Sequence, residues 1–459
     1  MAHKQTFNME DEFSGLDFNS RRLEKRFIRT METLSQQPDK SIWFCSENRA
    51  EAKAIYRLLS NDVLDRVEVL RAHREATIKR MLQQGGTILA VQDTTSLNYN
   101  TREKMDGIGY TSNTTLGVNI HSCLAVTSDG LALGLLDQTS YNREQAKNDR
   151  YTHNIKINRE LEEKESYRWV KTFETSTACL PEGLKVITIC DREGDMYEFL
   201  DAVESKGQLF LIRVTHNRIT VDNRNILDVI KKKHCMGKVE MTIPRDSRRN
   251  LKERKGVLQI RHGRFEIKRP KKVRNKNKIL KDFLTVWVIY AKEENPPKGV
   301  DPIEWFLMTN EPVETVEAAY ERVRYYTQRW KIERFHFVLK SGCMVEKLQE
   351  RSMDKTTLLV MMYSIIAVFI LNMTYIARIY PNIPCTVCFE DEEWKVLYCT
   401  ANKTKNPPKN PYTIAEAITY LSYLGGPKRS PSDGPPGVKT IWIGLDKLYT
   451  LLTYKNWLS

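Results

Sequence analysis

Residues 326–342 read YTQRWKIERFHFVLKSG, and their polar and apolar side chains recur at the spacing of a helix. At about 100° per residue, a set of polar side chains falls within roughly a 60° arc: Tyr326, Arg329, Glu333 and Lys340. Three apolar side chains gather nearly opposite: Ile332, Phe335 and Leu339. The pattern predicts one helix with a buried face and a polar face. An ordinary surface helix with an Arg329–Glu333 pair worth a few tenths of a kcal/mol has the same pattern.

Two other carboxylates follow apolar runs that we predict to be interior strands. Asp93 ends the run TILAVQD, and Asp191 ends the run VITICD. With Glu333 they would supply the oxygen ligands that paired divalent cations need for in-line displacement at phosphorus. The cationic and phenolic side chains on the polar face of the helix could neutralise or orient a phosphate. Aspartates at strand ends are common, however, so the spacing alone leaves a structural role open.

The length of the chain indicates how many domains it contains, and its charge indicates what kind of partner it binds. At 459 residues the chain is too long for one ordinary core and corresponds to two to four domains of about 150 residues. Basic residues exceed acidic ones by 72 − 58 = 14, and the pI is about 9.2. This excess favours a polyanionic partner, either nucleic acid or a membrane surface.

One uncharged run, Leu358–Ile376, has 19 residues, which is close to the length that spans a bilayer. Its polar residues and the absence of a second such run favour a helix buried inside a large domain, so we predict no membrane partner. The polar start of the chain lacks the apolar segment of a secretory leader. The nine scattered cysteines are typical of reduced thiols. Cys385 and Cys388 form a C-x2-C pair without a histidine at usable spacing, which argues against structural zinc.

The predicted secondary structure changes along the chain. Residues up to about 75 predict helices: NSRRLEKRFIRTMETLSQQ has apolar residues at helical spacing among five basic residues, and Ser46 is a candidate N-cap for the next helix. The basic face could be solvated or could contact DNA. Strands follow from Thr87, including a hairpin around Asp129–Gly130. A basic, strand-rich block separates Asp191 from the helix at 326–342, and the C-terminal part is again helical.

Three motifs together resemble a known family. They are QDTTSLNY, CDREGDMYEFL and YTQRWKIERFHFVLK, the last of which matches Y-x2-R-x3-E-x6-K. In order and separation they are similar to the bacterial insertion-sequence DDE transposases of the IS-four group, the family of the transposon-five transposase. The resemblance implies an α/β fold with an RNase H-like catalytic domain at 76–380 and a β-strand insertion at about 206–315. A helical DNA-binding domain at 1–75 and a helical dimerisation region at 381–459 would flank it.

The resemblance also implies roles for single residues in the active site. Asp93, Asp191 and Glu333 would be the catalytic residues and the ligands of two Mg²⁺ ions, for which Mn²⁺ could substitute. The phosphate-contacting signature would comprise three side chains of the predicted helix: Tyr326, Arg329 and Lys340.

Further residues would contact DNA at the transposon end. Arg213, in LFLIRVTHNR, matches a DNA-contacting arginine, and Trp305, in IEWFLMTN, matches a tryptophan that stacks on a flipped-out base. His336 is similar to a family histidine near the site, although a packing role stays open. Two positions depart from the family pattern, since Phe337 and Thr215 stand where basic residues are expected.

The function that follows from the resemblance is cut-and-paste DNA transposition. The enzyme would bind terminal inverted repeats of double-stranded DNA, nick each end, form and open a hairpin, and join the 3′-OH ends to target DNA. Two DNA ends imply a homodimer, acting in the bacterial cytoplasm in association with the nucleoid. Two alternatives remain: an inactive regulator that occupies the inverted repeats, and an RNase H-like nuclease or resolvase, which would not need Trp305.

Overall fold

A computed structural model describes residues 8–143, 161–243, 254–271, 273, 279–427 and 434–458. The chain forms two compact units. The first comprises residues 1–86, 94–147 and 331–459, and the second comprises residues 87–93 and 148–330. Strand β1 (Thr87–Asn98) passes from the second unit into the first at Asp93.

The first unit begins with a set of helices: α1 (Met9–Glu12), α2 (Arg21–Gln36), α3 (Ile42–Cys45), α4 (Arg49–Leu58) and α5 (Arg66–Gln84). The predicted basic helix is confirmed as α2, which buries Phe27 and Met31 completely. The predicted N-cap at Ser46 is wrong. Asn48 caps α4 by accepting the backbone N–H of Glu51, because the Ser46 hydroxyl instead donates to the carbonyl of the preceding helix.

The strands of the first unit form an antiparallel arrangement beside the end of β1. The hairpin predicted around Asp129–Gly130 is confirmed, since β3 (Leu116–Thr127) pairs with β4 (Ala132–Tyr141), and the short β2 (Gly109–Tyr110) pairs with β3. Side-chain hydrogen bonds join the carboxyl half of β1 to β3, from Ser96 to Asn119 at 2.7 Å and between Thr94 and His121 at 2.8 Å.

The apolar run at 358–376 lies in α11 (Met353–Ile379). This helix is long and apolar enough to cross a membrane, but 89% of its most apolar window is buried inside the protein. Polar side chains on it find partners in the first unit: Asn372 donates to the carbonyl of Ala132 at 2.7 Å, and Ser364 accepts from Gln138 at 3.0 Å. The structure therefore agrees with a core helix.

The described C-terminal residues of the first unit form three α-helices: α12 (Asp391–Asn402), α13 (Ile414–Gly425) and α14 (Val438–Leu458). Helices α13 and α14 cross closely, because the space for a side chain at Gly444 is filled by Leu421. Two polar contacts join α14 to the segment after α2, from Gln37 to Thr450 at 3.1 Å and between Lys40 and Asp446 at 3.8 Å.

The second unit is built on a mixed sheet. Strand β1 is parallel to β5 (Lys185–Cys190), and β5 is parallel to β6 (Leu209–Arg213). The sheet then continues antiparallel through the remaining strands: β10 (Glu304–Thr309), β9 (Phe283–Glu294), β8 (Arg254–Lys268) and β7 (Gly237–Ile243). The strand-rich block predicted after Asp191 is thus seen, and most of its strands extend the sheet beyond β6.

In the described residues of the second unit, four α-helices accompany this sheet: α6 (Tyr167–Thr177), α7 (Tyr197–Ser205), α8 (Ile226–Lys232) and α9 (Val316–Thr327). Fully buried side chains such as Phe173 on α6 and Phe199 on α7 pack on Ile212 of β6 and Val288 of β9 in one apolar core. The predicted α/β fold class is confirmed. The order β4-β3-β1 in the first unit and β1-β5-β6 in the second is that of an RNase H-like catalytic core, with helical parts before and after it.

A buried ionic cluster holds α1 against α5. Glu12 is 2% exposed and accepts hydrogen bonds from Arg80 (2.6 Å) and His73. The other nitrogen of His73 accepts the N–H of Leu135 at 2.8 Å. Burial opposes ionisation of Glu12, but Arg80 and His73 outweigh it and lower the pKa of Glu12 from 4.5 to about 2.

We predict that Glu12→Ala destabilises the first unit by ~3–5 kcal/mol at neutral pH, because it removes the carboxylate that accepts hydrogen bonds from the buried Arg80 and His73 side chains. Glu75→Ala, which removes a partly exposed partner of Arg71, should have a much smaller effect. Since the folded-state pKa of Glu12 is depressed, its stabilisation should be present above pH 4.5 and disappear as the pH falls toward 2. Unfolding curves of both variants across this range measure the difference, and equal stability of the two variants at pH 7 would contradict it.

Candidate active site

The register of two parallel strands places two predicted carboxylates side by side. Val91 of β1 pairs with Ile189 of β5, and Asp93 and Asp191 each follow two residues later. Adjacent strands are about 4.8 Å apart, and residues two apart share a face. Both aspartates are half-buried, and the Asp191 carboxylate accepts the backbone N–H of Glu193 at 2.8 Å.

The prediction that the first strand ends at Asp93 is wrong, because β1 continues to Asn98. Only the pairing of β1 with β5 stops near Asp93, and Val91 is the last residue of β1 that pairs with β5. The rest of β1 is held by hydrogen bonds to β3 instead. Asp93 therefore lies where the strand leaves its parallel neighbour.

Cationic and phenolic side chains of the second unit surround these aspartates. Arg329 lies 3.4 Å from the Asp93 carboxylate. Tyr326 is buried, which raises its pKa to about 12, although Arg329 and Arg213 oppose that rise. Burial lowers the pKa of Arg213, and the positive charge of Arg329 adds to this, whereas Tyr326 and Asp191 act in the opposite direction. The structure thus brings together five of the predicted site residues.

The uninterrupted helix predicted over 326–342 is wrong in detail. Helix α9 ends at Thr327, a tight turn closed by the Arg329 N–H on the Tyr326 carbonyl (3.0 Å) follows, and α10 spans Trp330–Phe337. A π-helical turn at Val338–Gly342 comes next, with the N–H of Cys343 bonded to the carbonyl of Val338. The break and the wide turn change the directions of the side chains at either end of α10. Such π turns are frequent at functional sites.

Glu333 lies on the exposed face of α10, as predicted, whereas Ile332 and Phe335 are fully buried. Lys340, in the π turn, donates to the carbonyl of Ser96 at 2.8 Å. Both residues belong to the first unit. The placement of Glu333 beside the two aspartates remains a prediction. Among the described residues, no three His, Cys, Asp or Glu side chains form a group that could hold a metal ion.

Trp305 is 6% exposed on β10. Its ring packs edge-on against Tyr326 (5.7 Å between centroids) and Trp330 (6.2 Å). This contact joins Trp305 to Tyr326, a residue of the predicted phosphate-contacting signature. Its role in base stacking remains a prediction, and stacking would require the ring to exchange protein contacts for a base.

The other residues singled out in the first unit pack locally. His336 is 7% exposed, and its ring lies 5.3 Å from that of Phe335. Phe337, which replaces an expected basic residue, is partly exposed and lies 5.6 Å from Trp442 of α14. An aromatic contact with the C-terminal helix therefore occupies the place where a DNA-contacting cation was expected.

Sequence reasoning missed a buried pair that positions the loop after Arg213. Asp195 is 1% exposed, forms an ion pair with Arg218, and accepts the N–H groups of Thr215 (2.7 Å) and His216 (2.9 Å). It thereby joins the segment after Asp191 to the end of β6. The only sequence signal is the second aspartate of DREGD, which a single sequence cannot distinguish from a surface residue.

The basic residues of α2 expose their side chains along one side of the helix: Arg21, Arg22, Lys25, Arg26 and Arg29. Arg29 contacts Glu51 at 3.1 Å and Glu47 at 3.4 Å. For the other four, no carboxylate of the described residues lies within salt-bridge distance. This face has the charge and exposure that contact with DNA phosphates requires.

Three family models match consecutive parts of the chain. A transposase DNA-binding model matches residues 8–64, a transposase DDE domain model matches residues 176–370, and a transposase Tn5 dimerisation domain model matches residues 365–455. The DDE match contains Asp191 and Glu333. Among solved structures, a cryo-EM structure of a piggyBac transposase synaptic complex with hairpin DNA is 12% identical, with a TM-score of 0.36. That match covers 96% of this chain and 73% of the other.

We predict that Asp195→Ala costs ~3–5 kcal/mol of stability, because it leaves Arg218 buried without its counter-ion and frees two backbone N–H groups. Asp222→Ala, which removes the partner of exposed Arg224, is the matched control and should not measurably change stability. Chemical unfolding monitored by tryptophan fluorescence compares the two. An Asp195→Ala protein as stable as the control would show that this pair does not hold the loop.

Proposed function

Because this chain belongs to the Tn5-like DDE transposases, we propose that it excises a DNA element and joins its ends to target DNA. The chain is a DNA transposase with DNA-binding and dimerisation domains. The observation that carries the proposed chemistry is that Asp93 and Asp191 each lie two residues beyond the last paired residues of parallel strands, with Arg329 against Asp93. Carboxylates beside phosphate-binding cations form the constellation that phosphoryl transfer requires.

The donor atoms at these strands fit divalent metal ions. They are half-exposed carboxylate oxygens, which hard cations prefer over nitrogen and sulfur ligands. We propose that Asp93, Asp191 and Glu333 hold two Mg²⁺ ions, or Mn²⁺ in their place. When bound, such ions would lower the pKa of an attacking water and stabilise the leaving oxygen of an in-line displacement.

The chain's own side chains would bind and orient the scissile phosphate. Arg329, Arg213 and Lys340 would contact its oxygens and offset the charge that builds up during displacement. Tyr326, with its pKa raised to about 12, stays protonated at neutral pH and can donate a hydrogen bond to a phosphate oxygen. The aromatic face of Trp305 would receive the flipped-out base that a hairpin end requires.

The proposed reaction has four displacements at one site. Water cuts one strand at the transposon end, the new 3′-OH attacks the opposite strand to form a hairpin, water opens the hairpin, and the 3′-OH attacks target DNA. The exposed basic face of α2 would bind the terminal inverted repeats. A homodimer would hold two ends together, and the enzyme would act at the nucleoid in the bacterial cytoplasm.

A strand-cleavage assay tests this proposal. A DNA fragment carrying the gene with its native flanks is incubated with Mg²⁺ or with EDTA, and products are resolved under denaturing conditions. We expect nicks at two ends and then hairpins, all lost in EDTA and in Asp191→Ala but retained in Asp222→Ala. Trp305→Ala should still nick but lose hairpins, because only hairpin formation needs an extruded base, and Trp305→Phe should restore part of them.

Three outcomes would contradict the proposal. Binding of the ends without a metal-dependent cut by the intact chain would indicate a regulator. Cuts scattered along the fragment, without hairpins, would indicate a nuclease. A folded Asp191→Ala protein that cleaves as well as the intact chain would remove the carboxylate from the chemistry.

A further inference from the structure

A ladder of alternating cations and rings crosses one face of the antiparallel part of the second unit's sheet. Arg261 of β8, Tyr290 of β9 and Phe306 of β10 lie in one row, because Tyr290 pairs in register with both of the others. The two rings stack at 4.5 Å with an interplanar angle of 12°. The Arg261 guanidinium lies 5.4 Å from the Tyr290 ring, and Lys231 of α8 lies 5.3 Å from the Phe306 ring.

The next row of the same face is polar. Gln259, Lys292 and Glu304 are paired in register across the three strands. The Tyr290 hydroxyl donates to Glu304 at 2.7 Å, and burial together with this bond raises the pKa of Tyr290. Tyr290 therefore remains a neutral donor that fixes Glu304 at the edge of the ladder.

Together the two rows line a cleft of about 460 Å³, which we call the ladder cleft, formed by Lys231, Gln259, Arg261, Tyr290, Lys292, Glu293 and Glu304. Trp305 points to the opposite face of the sheet, since it alternates with Glu304 and Phe306 along β10. The ladder cleft is thus separate from the face of β10 on which Trp305 meets Tyr326.

Positive charge prevails in the ladder cleft. Glu293 is neutralised by Arg254 through a bidentate pair (2.9 Å for one of its bonds). In the described part of the chain, no carboxylate lies within salt-bridge distance of Lys231, Arg261 or Lys292. Three cations thus face one remaining carboxylate, that of Glu304, and the ammonium groups of Lys231 and Lys292 are on exposed residues.

We infer that the ladder cleft is a second DNA-contact site, at which Lys231, Arg261 and Lys292 bind the phosphodiester backbone. The stacked rings hold Arg261 and Lys231 at the surface, which reduces the entropy lost when they bind phosphate. A polar cleft in which three cations outnumber one unpaired carboxylate suits a backbone phosphate better than an apolar ligand. The inference rests on the proposed function, because it takes DNA as the polyanion that the chain binds.

The test compares two double variants of the full chain that remove equal charge. Lys231→Gln with Lys292→Gln removes cations of the ladder cleft. Lys255→Gln with Lys281→Gln removes lysines of the same unit that already pair with Glu240 (2.8 Å) and Glu204 (3.2 Å). All four are surface substitutions, and unchanged unfolding curves confirm that each variant folds.

Affinity for a long duplex of random sequence is measured against salt concentration. Each lost phosphate contact lowers the slope of log K against log salt by ~0.9, so the cleft variant should lose ~1.8 in slope and bind about 30-fold more weakly near ~0.15 M salt. The control variant should keep the wild-type slope. Equal slopes for both variants and the wild type would overturn the inference. It would also be overturned if inorganic phosphate bound the ladder cleft of the wild type without changing its affinity for DNA.

The strand-cleavage assay separates this inference from the proposed function. If the wild type cleaves DNA but the cleft variant keeps the wild-type slope of log K against log salt, only the inference about the ladder cleft is overturned. A reduced slope without metal-dependent cleavage by the wild type supports the ladder cleft as a DNA contact and contradicts the transposition chemistry.

Discussion

The parallel pairing of β1 with β5 is the constraint on which the rest of the site depends. These strands are buried on both faces, with Ile88, Leu89 and Ile187 fully inaccessible. A one-residue slip of either strand would therefore disrupt the packing of the core and move the aspartate of that strand to the opposite face. Core packing therefore fixes the relative position of Asp93 and Asp191 before any ligand is present. A catalytic arrangement held by strands needs little reorganisation at the moment of reaction.

Electrostatics at this position favour a charged ligand. Arg329 lies 3.4 Å from the Asp93 carboxylate. Burial lowers the pKa of Arg213, and the positive charges of Arg192 and Arg329 lower it further. A bound phosphate would relieve the repulsion between these cations, and a bound divalent metal ion would relieve the repulsion between the carboxylates. Positive charge is also concentrated at the surface, because the basic face of α2 and the ladder cleft present cations toward solvent.

Much of this could be predicted from sequence because the signals are local. The apolar run before Asp191 correctly predicts strand β5, and the turn residues Asp129–Gly130 correctly predict the hairpin of β3 and β4. The spacing of apolar residues in 326–342 correctly predicts the buried face of α10. The break at Gln328–Arg329 and the π turn that holds Lys340 could not be predicted, since they depend on tertiary contacts such as the bond from Lys340 to Ser96. Contacts between residues far apart in the sequence could not be predicted either.

The buried partners of Glu12 and Asp195 illustrate the last point. Glu12 meets Arg80 and His73, more than 60 residues away, and no local pattern marks it as a buried charge. Asp195 differs from a surface aspartate only through the fold of the loop after β6. The ladder cleft likewise arises from register between β8, β9 and β10, which turn residues and tertiary packing determine together.

The central claim is that Asp93, Asp191 and Glu333 hold divalent metal ions together, and Mn²⁺ binding tests it most directly. Bound Mn²⁺ is counted by electron paramagnetic resonance in the intact chain and in Asp93→Asn, Asp191→Asn and Glu333→Gln, with Asp222→Asn as the control. The account predicts that each of the three substitutions weakens binding while the control leaves it unchanged. Binding by Glu333→Gln that equals the intact chain would contradict the claim.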